Sequence, residues 1–314
     1  MVNFLINKLP KYFEPSLKIR RKYLVSFLLA FMLTLIVHRI IVAMVTVKIP
    51  IFGFHDIVDI HNPKEMPPLR PDFQSDYSQE DLAVFLDYLM RNNYWFMTTQ
   101  ELYDYYLSNP PKPIPPEHLY QKKVMITFDD GYKSVYTHVL PILQKLERKY
   151  GKKAKVVLFI NPAFMGRHGT VLDKASCLEL RKGFRKGFYD LQSHGLNHEN
   201  LTMISAKSLE RELAESQFKL RKCTYGLDGN KTVANHIAYP YGAINKNVKN
   251  SIAKYYLSGY LYNSSTFYLG FFKPDKYHIS RLTVNKKQSV WHLESMAAGG
   301  RLRNLMRNYF KVIE

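Results

Sequence analysis

The chain is predicted to fold as an α/β domain of parallel strands with helices outside, on three observations. Short apolar runs rich in β-branched and aromatic residues alternate with helical stretches. Three motifs rich in chemically active residues each stand directly behind such a run, where a parallel α/β fold gathers its functional groups. No internal repeat divides the 314 residues, a length that suits one such domain with short extensions.

The elements follow in chain order. Lys18, Arg20, Arg21 and Lys22 precede an apolar run over 23–47, broken by Ser26, Thr34, Thr46 and the pair His38 and Arg39. A run of this length spans a bilayer as one helix, and the charged pair inside it costs a few kcal/mol away from an interface. The basic flank assigns 1–22 to the cytoplasm as a tail, 23–47 to a transmembrane anchor, and everything after Lys48 to the outside. A cleaved signal peptide is the rival reading, against which stands the lack of a clean small-x-small site at the end of the run. Strand-like runs then fall at 49–54, 124–128, 156–160, 188–192, 237–239, 258–262 and 279–284, with the clearest helices at 136–150, 208–223 and 243–257. This alternation fits a barrel or an open sheet equally. The proline-rich stretch 110–116 is a surface connection within the main domain, 48–290. At the end, 291–314 reads as a basic amphipathic helix: Leu302, Leu305, Met306, Tyr309, Phe310 and Ile313 recur opposite Arg301, Arg303, Arg307 and Lys311. Packing of its apolar face on its own domain is preferred to a place on a membrane surface.

Composition narrows the partners. With 45 Lys and Arg against 26 Asp and Glu the net charge is +19, which favours anionic lipids or wall polymers. Nucleic acid is not expected, because no base-reading motif accompanies the charge. Two cysteines, Cys177 and Cys223, exclude a disulfide framework and leave one bridge or two free thiols open.

The chemistry lies in the three motifs. Thr127-Phe128-Asp129-Asp130-Gly131 puts paired carboxylates at a strand end, and Ser193-His194-Gly195-Leu196-Asn197-His198 places two imidazoles four residues apart. Alone, the first suits a capped turn and the second ordinary packed or exposed histidines. Together they supply a carboxylate and two neutral imidazoles, a three-ligand set that leaves positions open on a catalytic metal. The third, Ala238-Tyr239-Pro240-Tyr241-Gly242, turns sharply behind another apolar run and can expose backbone N–H groups.

In this order, with Asn200-Leu201 behind the second motif, the set resembles the polysaccharide deacetylase family with its NodB-type domain, over about 49–284. The lead-in, with Phe85-Leu86, Tyr88-Leu89, Asn93-Tyr94 and a helix over 98–107, is similar too. The resemblance implies a distorted (β/α) barrel. It makes Asp129 the general base, with Asp130, His194 and His198 as ligands of a divalent metal, zinc first and cobalt, nickel or iron also suited. It gives the Tyr241 N–H to the oxyanion, with Pro240 lining the substrate; His55, at the end of the first strand, either touches substrate at the barrel mouth or is an ordinary strand-end histidine with Asp56 capping the turn. Three departures stand out. An Arg two residues before the motif's Pro is Ala238 here, so Arg281 is the candidate brace for the catalytic Asp, or a substrate contact, with a surface arginine on a packed stem as the alternative. Glu199 replaces a usual Pro, and the family's late Leu-x-His is missing, which leaves His278, ahead of His292, as candidate general acid. The expected protein is a membrane-anchored, outward-facing N-deacetylase of N-acetylglucosamine units in an exopolysaccharide or wall glycopolymer. Peptidoglycan is the alternative substrate, and a glycan-binding domain without turnover is the competing function.

Overall fold

The structure, a computed structural model, describes residues 14–45, 47–169, 172–270 and 274–299. The chain divides into two units, 1–47 and 48–314.

The first unit is one helix, α1 (Glu14–Val45). Its side chains are described over 23–38, and all are exposed, among them Phe27, Leu29 and Leu33. Among the described residues no helix is long and apolar enough to cross a membrane. That stretch rises about 24 Å at ~1.5 Å per residue, short of a hydrocarbon core of about 30 Å. The helical backbone continues to Val45, and the remainder of the expected span lies outside the described side chains.

The second unit is built on parallel strands: β1 (Ile51–Phe54), β2 (Trp95–Phe96), β3 (Lys123–Phe128), β4 (Val156–Ile160), β5 (Tyr189–Ser193), β6 (His236–Ala238), β7 (Ser258–Tyr260) and β8 (Leu282–Thr283). Their order is β7-β6-β5-β4-β3-β1-β8, with β2 beside the start of β3. Every pairing is parallel, and a bridge from Tyr260 to Ile279 brings the β8 segment back to β7. The result is a parallel α/β half-barrel whose two ends meet at that bridge.

Period-two alternation between two packed faces explains why the strands are mostly apolar. Phe52, Phe54, Val124, Ile126, Val156 and Leu158 point to the helices, and join Phe85, Leu86 and Leu89 of α2 (Gln79–Arg91) and Leu143 and Leu146 of α3 (Leu140–Tyr150) in one core. Ile51, Met125, Val157, Phe159, Ala238 and Tyr260 point to the inside and form a second core. The strands β1 and β4 to β7 are thus buried on both faces.

Helix ends depart from expectation for local reasons. The run 136–150 opens as a wide turn, Val135–Val139, before α3, which ends where Gly151 takes the left-handed φ of 65°. The region 98–107 is one α-turn, Thr99–Leu102, held by a Thr98–Glu101 capping box, then a second wide turn, Tyr103–Leu107. In 243–257 the helix is only α6 (Lys246–Ile252), because Asn245 caps it late through Val248 N. The preceding α4 (Cys177–Arg185) and α5 (Ala206–Cys223) are joined by the disulfide Cys177–Cys223, the bridged alternative of the two left open. In the C-terminal segment, α7 (Val290–Ala297) packs Leu293 and Ala297 into the outer core, and the amphipathic stretch beyond 299 lies outside the described residues.

Candidate metal centre and active site

Strand pairing sets the site. Asp129 follows β3 and donates its N–H to Phe54 O at 2.9 Å, His194 follows β5 and donates to Ile160 O at 2.9 Å, and Tyr239 follows β6 and donates to Tyr260 O at 3.0 Å. All three motifs therefore emerge at the C-terminal strand ends.

The neighbouring aspartates diverge because the backbone reverses between them. Asp130 and Gly131 take φ of 66° and 65°, a left-handed pair that Asp tolerates and Gly allows freely. Asp129 turns inward and is buried, with Arg281 Nη1 and Nη2 donating to its two oxygens at 2.6 and 2.8 Å. Arg281, fully buried, also donates to Thr127 Oγ1 at 3.0 Å and Leu261 O at 2.8 Å. The brace missing at Ala238 thus comes from the other end of the barrel. Arg281 is fully buried and does not line a substrate surface, which corrects that half of its expected role: four hydrogen bonds commit it to Asp129, Thr127 and a carbonyl.

Asp130 turns the other way. Its Oδ1 lies 3.5 Å from His194 Nε2 and 3.3 Å from His198 Nε2, and one ligand atom from each of the three residues falls within 4.8 Å of the others. That oxygen is buried and has no hydrogen-bond partner. A buried carboxylate oxygen with two imidazole nitrogens facing it is what a divalent cation would satisfy, and the N,N,O donor set suits zinc and similar metals. His194 Nδ1 is 2.9 Å from Ala238 O, so Nδ1 carries the proton and Nε2 keeps its lone pair toward the cluster. Asn161 Nδ2 in turn donates to the His194 carbonyl.

Electrostatics separate the roles. For Asp129 burial pulls the pKa upward, but the Arg281 charge and then His194 outweigh it and hold the carboxyl down at about 2. Asp130 is likewise lowered, with burial opposed by His194 and Lys174. Burial pushes His194 below its ordinary value against the pull of Asp129 and Asp130. The cluster is therefore set as two carboxylates with a neutral imidazole, the protonation state that metal ligation needs.

The rim carries the remaining residues. Pro240 is buried, and Tyr241, in a left-handed φ of 60°, is 69 % exposed with its ring 4.7 Å from that of His198. His55 follows β1, whose Phe54 pairs with Phe128, and its ring lies 5.2 Å from that of Tyr262. His278 is not brought to this cluster. It is exposed, and its Nδ1 meets Asp275 Oδ2 at 2.8 Å beside Lys249. His292 lies exposed on α7. Both were inferred from chain position alone, and a loop with its own acid partner holds the first. Sequence reasoning missed Asn161 and the Ala238 and Leu261 carbonyls; only a strand register could have pointed to them.

Residues 117–259 match the family model of polysaccharide deacetylases. The Bacillus subtilis protein YxkH, named for the same family, is 25 % identical over 199 residues, 63 % of this chain and 58 % of its own length. The chain thus spans under two thirds of that curated relative. A Bacillus cereus polysaccharide deacetylase structure superposes with a TM-score of 0.65 at 22 % identity, covering 80 % of this chain and 69 % of that one. The Streptococcus pyogenes deacetylase PplD, in complex with acetate, gives 0.62 at 22 % identity, covering 79 % and 97 %. At such identities the structural likeness speaks for the fold.

Proposed function

We propose, from the match of residues 117–259 to the polysaccharide deacetylase family model, that this chain belongs to that family and is a metal-dependent N-deacetylase of a cell-surface or extracellular glycan. The observation that carries this reading is the unpartnered Asp130 Oδ1 facing two imidazole nitrogens, with a second, braced carboxylate beside them.

In this reading Asp130, His194 and His198 hold the cation, which supplies, when bound, Lewis acidity toward an amide carbonyl and toward water. Asp129 takes the proton of the attacking water. Its grip by Arg281 keeps it ionised and outside the ligand set, so it accepts a proton only as the amide is attacked. The backbone N–H of Tyr241, held in its left-handed turn, donates to the developing oxyanion. His55 takes the proton-donor role expected of His278, because the pairing of Phe54 with Phe128 puts it beside Asp129 at the C-terminal end of its strand. Acetate leaves and an amine remains, which accords with the acetate held by the PplD structure.

The substrate is N-acetylated amino-sugar units, N-acetylglucosamine first, in an exopolysaccharide or wall glycopolymer. The net charge of +19 supports attraction to anionic wall polymers or lipids. The exposed apolar face of α1 and the sequence run continuing to residue 47 support a single-pass anchor with the domain outside, where the Cys177–Cys223 bridge is stable. Zinc is the first metal for these ligands, with cobalt, nickel and iron open.

Acetate release from acetylated chitooligosaccharides or native polymer tests the reading. Asp129→Asn is expected to abolish turnover with metal content nearly unchanged, whereas His194→Ala and His198→Ala lower both. A glycan binder without turnover would release no acetate with or without chelator, and an active Asp129→Asn would overturn the assignment of the base.

A further inference from the structure

We propose that Glu212 is a positioning residue that holds the segment between His194 and His198 in its ligating conformation before any cation binds. The inference rests on the reading of those two histidines as metal ligands.

Glu212 sits on α5 amid Leu209, Leu213 and Leu220, a stripe that packs against the sheet and where a leucine would be the default. It is instead a carboxylate only 4 % exposed, and among the described residues no Lys, Arg or His forms an ion pair with it. An unpaired buried carboxylate is costly unless N–H donors surround it. Here they do: Leu196 N at 2.8 Å and Asn197 N at 3.0 Å donate to Oε2, and Asn197 Nδ2 donates to Oε1 at 2.7 Å. All three donors come from the residues between the two ligands. One turn along α5, Ser216 Oγ donates to Gly195 O at 3.1 Å and lies 2.7 Å from Ser193 Oγ, so a single helix face grips the loop from Ser193 to Asn197. Gly195, at a φ of 73°, allows the approach; a Cβ there would lie 3.2 Å from Glu212 Oε2. His198 leaves the segment at a φ of 61°, a conformation that needs support from its surroundings. The carboxylate thus fixes the loop amides, and the loop fixes where the two Nε2 atoms stand.

Groups that orient metal ligands from behind typically change affinity by about 10–100-fold when removed. The test is a Co2+ titration of the full chain, read by its visible absorption and repeated with Zn2+ in competition. Glu212→Gln keeps the size and one acceptor but turns an NH2 toward loop donors. Its Kd for Co2+ is expected to weaken about 10–100-fold, with acetate release recovering toward wild type at saturating metal. An unchanged Kd, or turnover that stays low with an unchanged Kd, overturns the proposal. Ser216→Ala, which removes the contacts to Gly195 O and Ser193 Oγ but leaves the Glu212 carboxylate in place, is expected to shift Kd the same way by less, and it decides the matter if Glu212→Gln does not fold. A wild-type chain that binds no Co2+ overturns the ligand reading itself; a wild type that binds with both variants unchanged overturns only the role of Glu212.

Discussion

Asp129 and Arg281 form a fully desolvated ion pair, joined by two hydrogen bonds and closed off by Thr127 and the Leu261 carbonyl. Such a pair matters most when one partner is removed, since the other is left as an uncompensated buried charge. Arg281→Met is therefore expected to destabilise the domain by about 3–5 kcal/mol in chemical denaturation. The sign of its pH dependence follows from the depressed carboxyl pKa: the pair contributes fully above the unfolded value near 3.8 and is lost as pH falls toward about 2. The gap between wild type and Arg281→Met should narrow over that acid range, and a constant gap would contradict the pairing. At this scale the sequence was most legible in residue type and spacing, which pointed to a carboxylate and two imidazoles that the fold brings together at Asp130, His194 and His198; the separate role of Asp129 came from the family resemblance. Roles set by contacts across the barrel were not. Arg281 was found as a brace yet also expected at the substrate, and His278 was placed near the chemistry although Asp275 engages it elsewhere.

Among the elements, the strands announced themselves because burial on both faces leaves uninterrupted apolar runs, as in β3 and β4. Boundaries did not, because caps and wide turns, not hydrophobic period, end the helices. Where polar residues enter strands they form a buried layer: Asp190 accepts from Thr99, Gln192 Oε1 accepts from His236 N, and His236 Nδ1 lies 2.7 Å from Ser258 Oγ. This layer makes a prediction about strand β6. Burial lowers the His236 pKa from 6.5 to about 3, so between those values the unfolded chain binds a proton that the folded one does not. Stability from this group is present above pH 6.5 and falls as pH drops toward 3. Asp190, raised by burial, acts in the opposite sense in acid, so the comparison must be between variants. The Tm of His236→Asn is expected to decline less than that of wild type between pH 7 and pH 4. Parallel declines would show that His236 is not held neutral.

For the whole molecule, the half-barrel gathers groups from Phe54, Asp129, His194, Tyr239 and Arg281 that are dispersed over most of the chain, and the bridge from Tyr260 to Ile279 is what brings Arg281 round to Asp129. Neither the bridge nor the strand order is written in composition; the order of three motifs carried the fold. The unit that precedes the barrel is a helix with exposed apolar side chains. If it anchors the chain, the full-length protein sediments with membranes and resists extraction by high salt, while a chain starting at Lys48 stays in the supernatant and keeps its acetate-releasing activity. Salt extraction of the full chain would instead point to charge alone.

The central claim is that three side chains, from the ends of β3 and β5, meet on one cation while Asp129 stays out. Anomalous diffraction at the zinc edge from metal-loaded crystals measures this directly. The expected result is a single ion bound by Asp130 Oδ1 and the Nε2 atoms of His194 and His198, with Zn–N distances of about 2.0–2.1 Å. An ion ligated by Asp129 in place of Asp130, or bound away from both histidines, would contradict it.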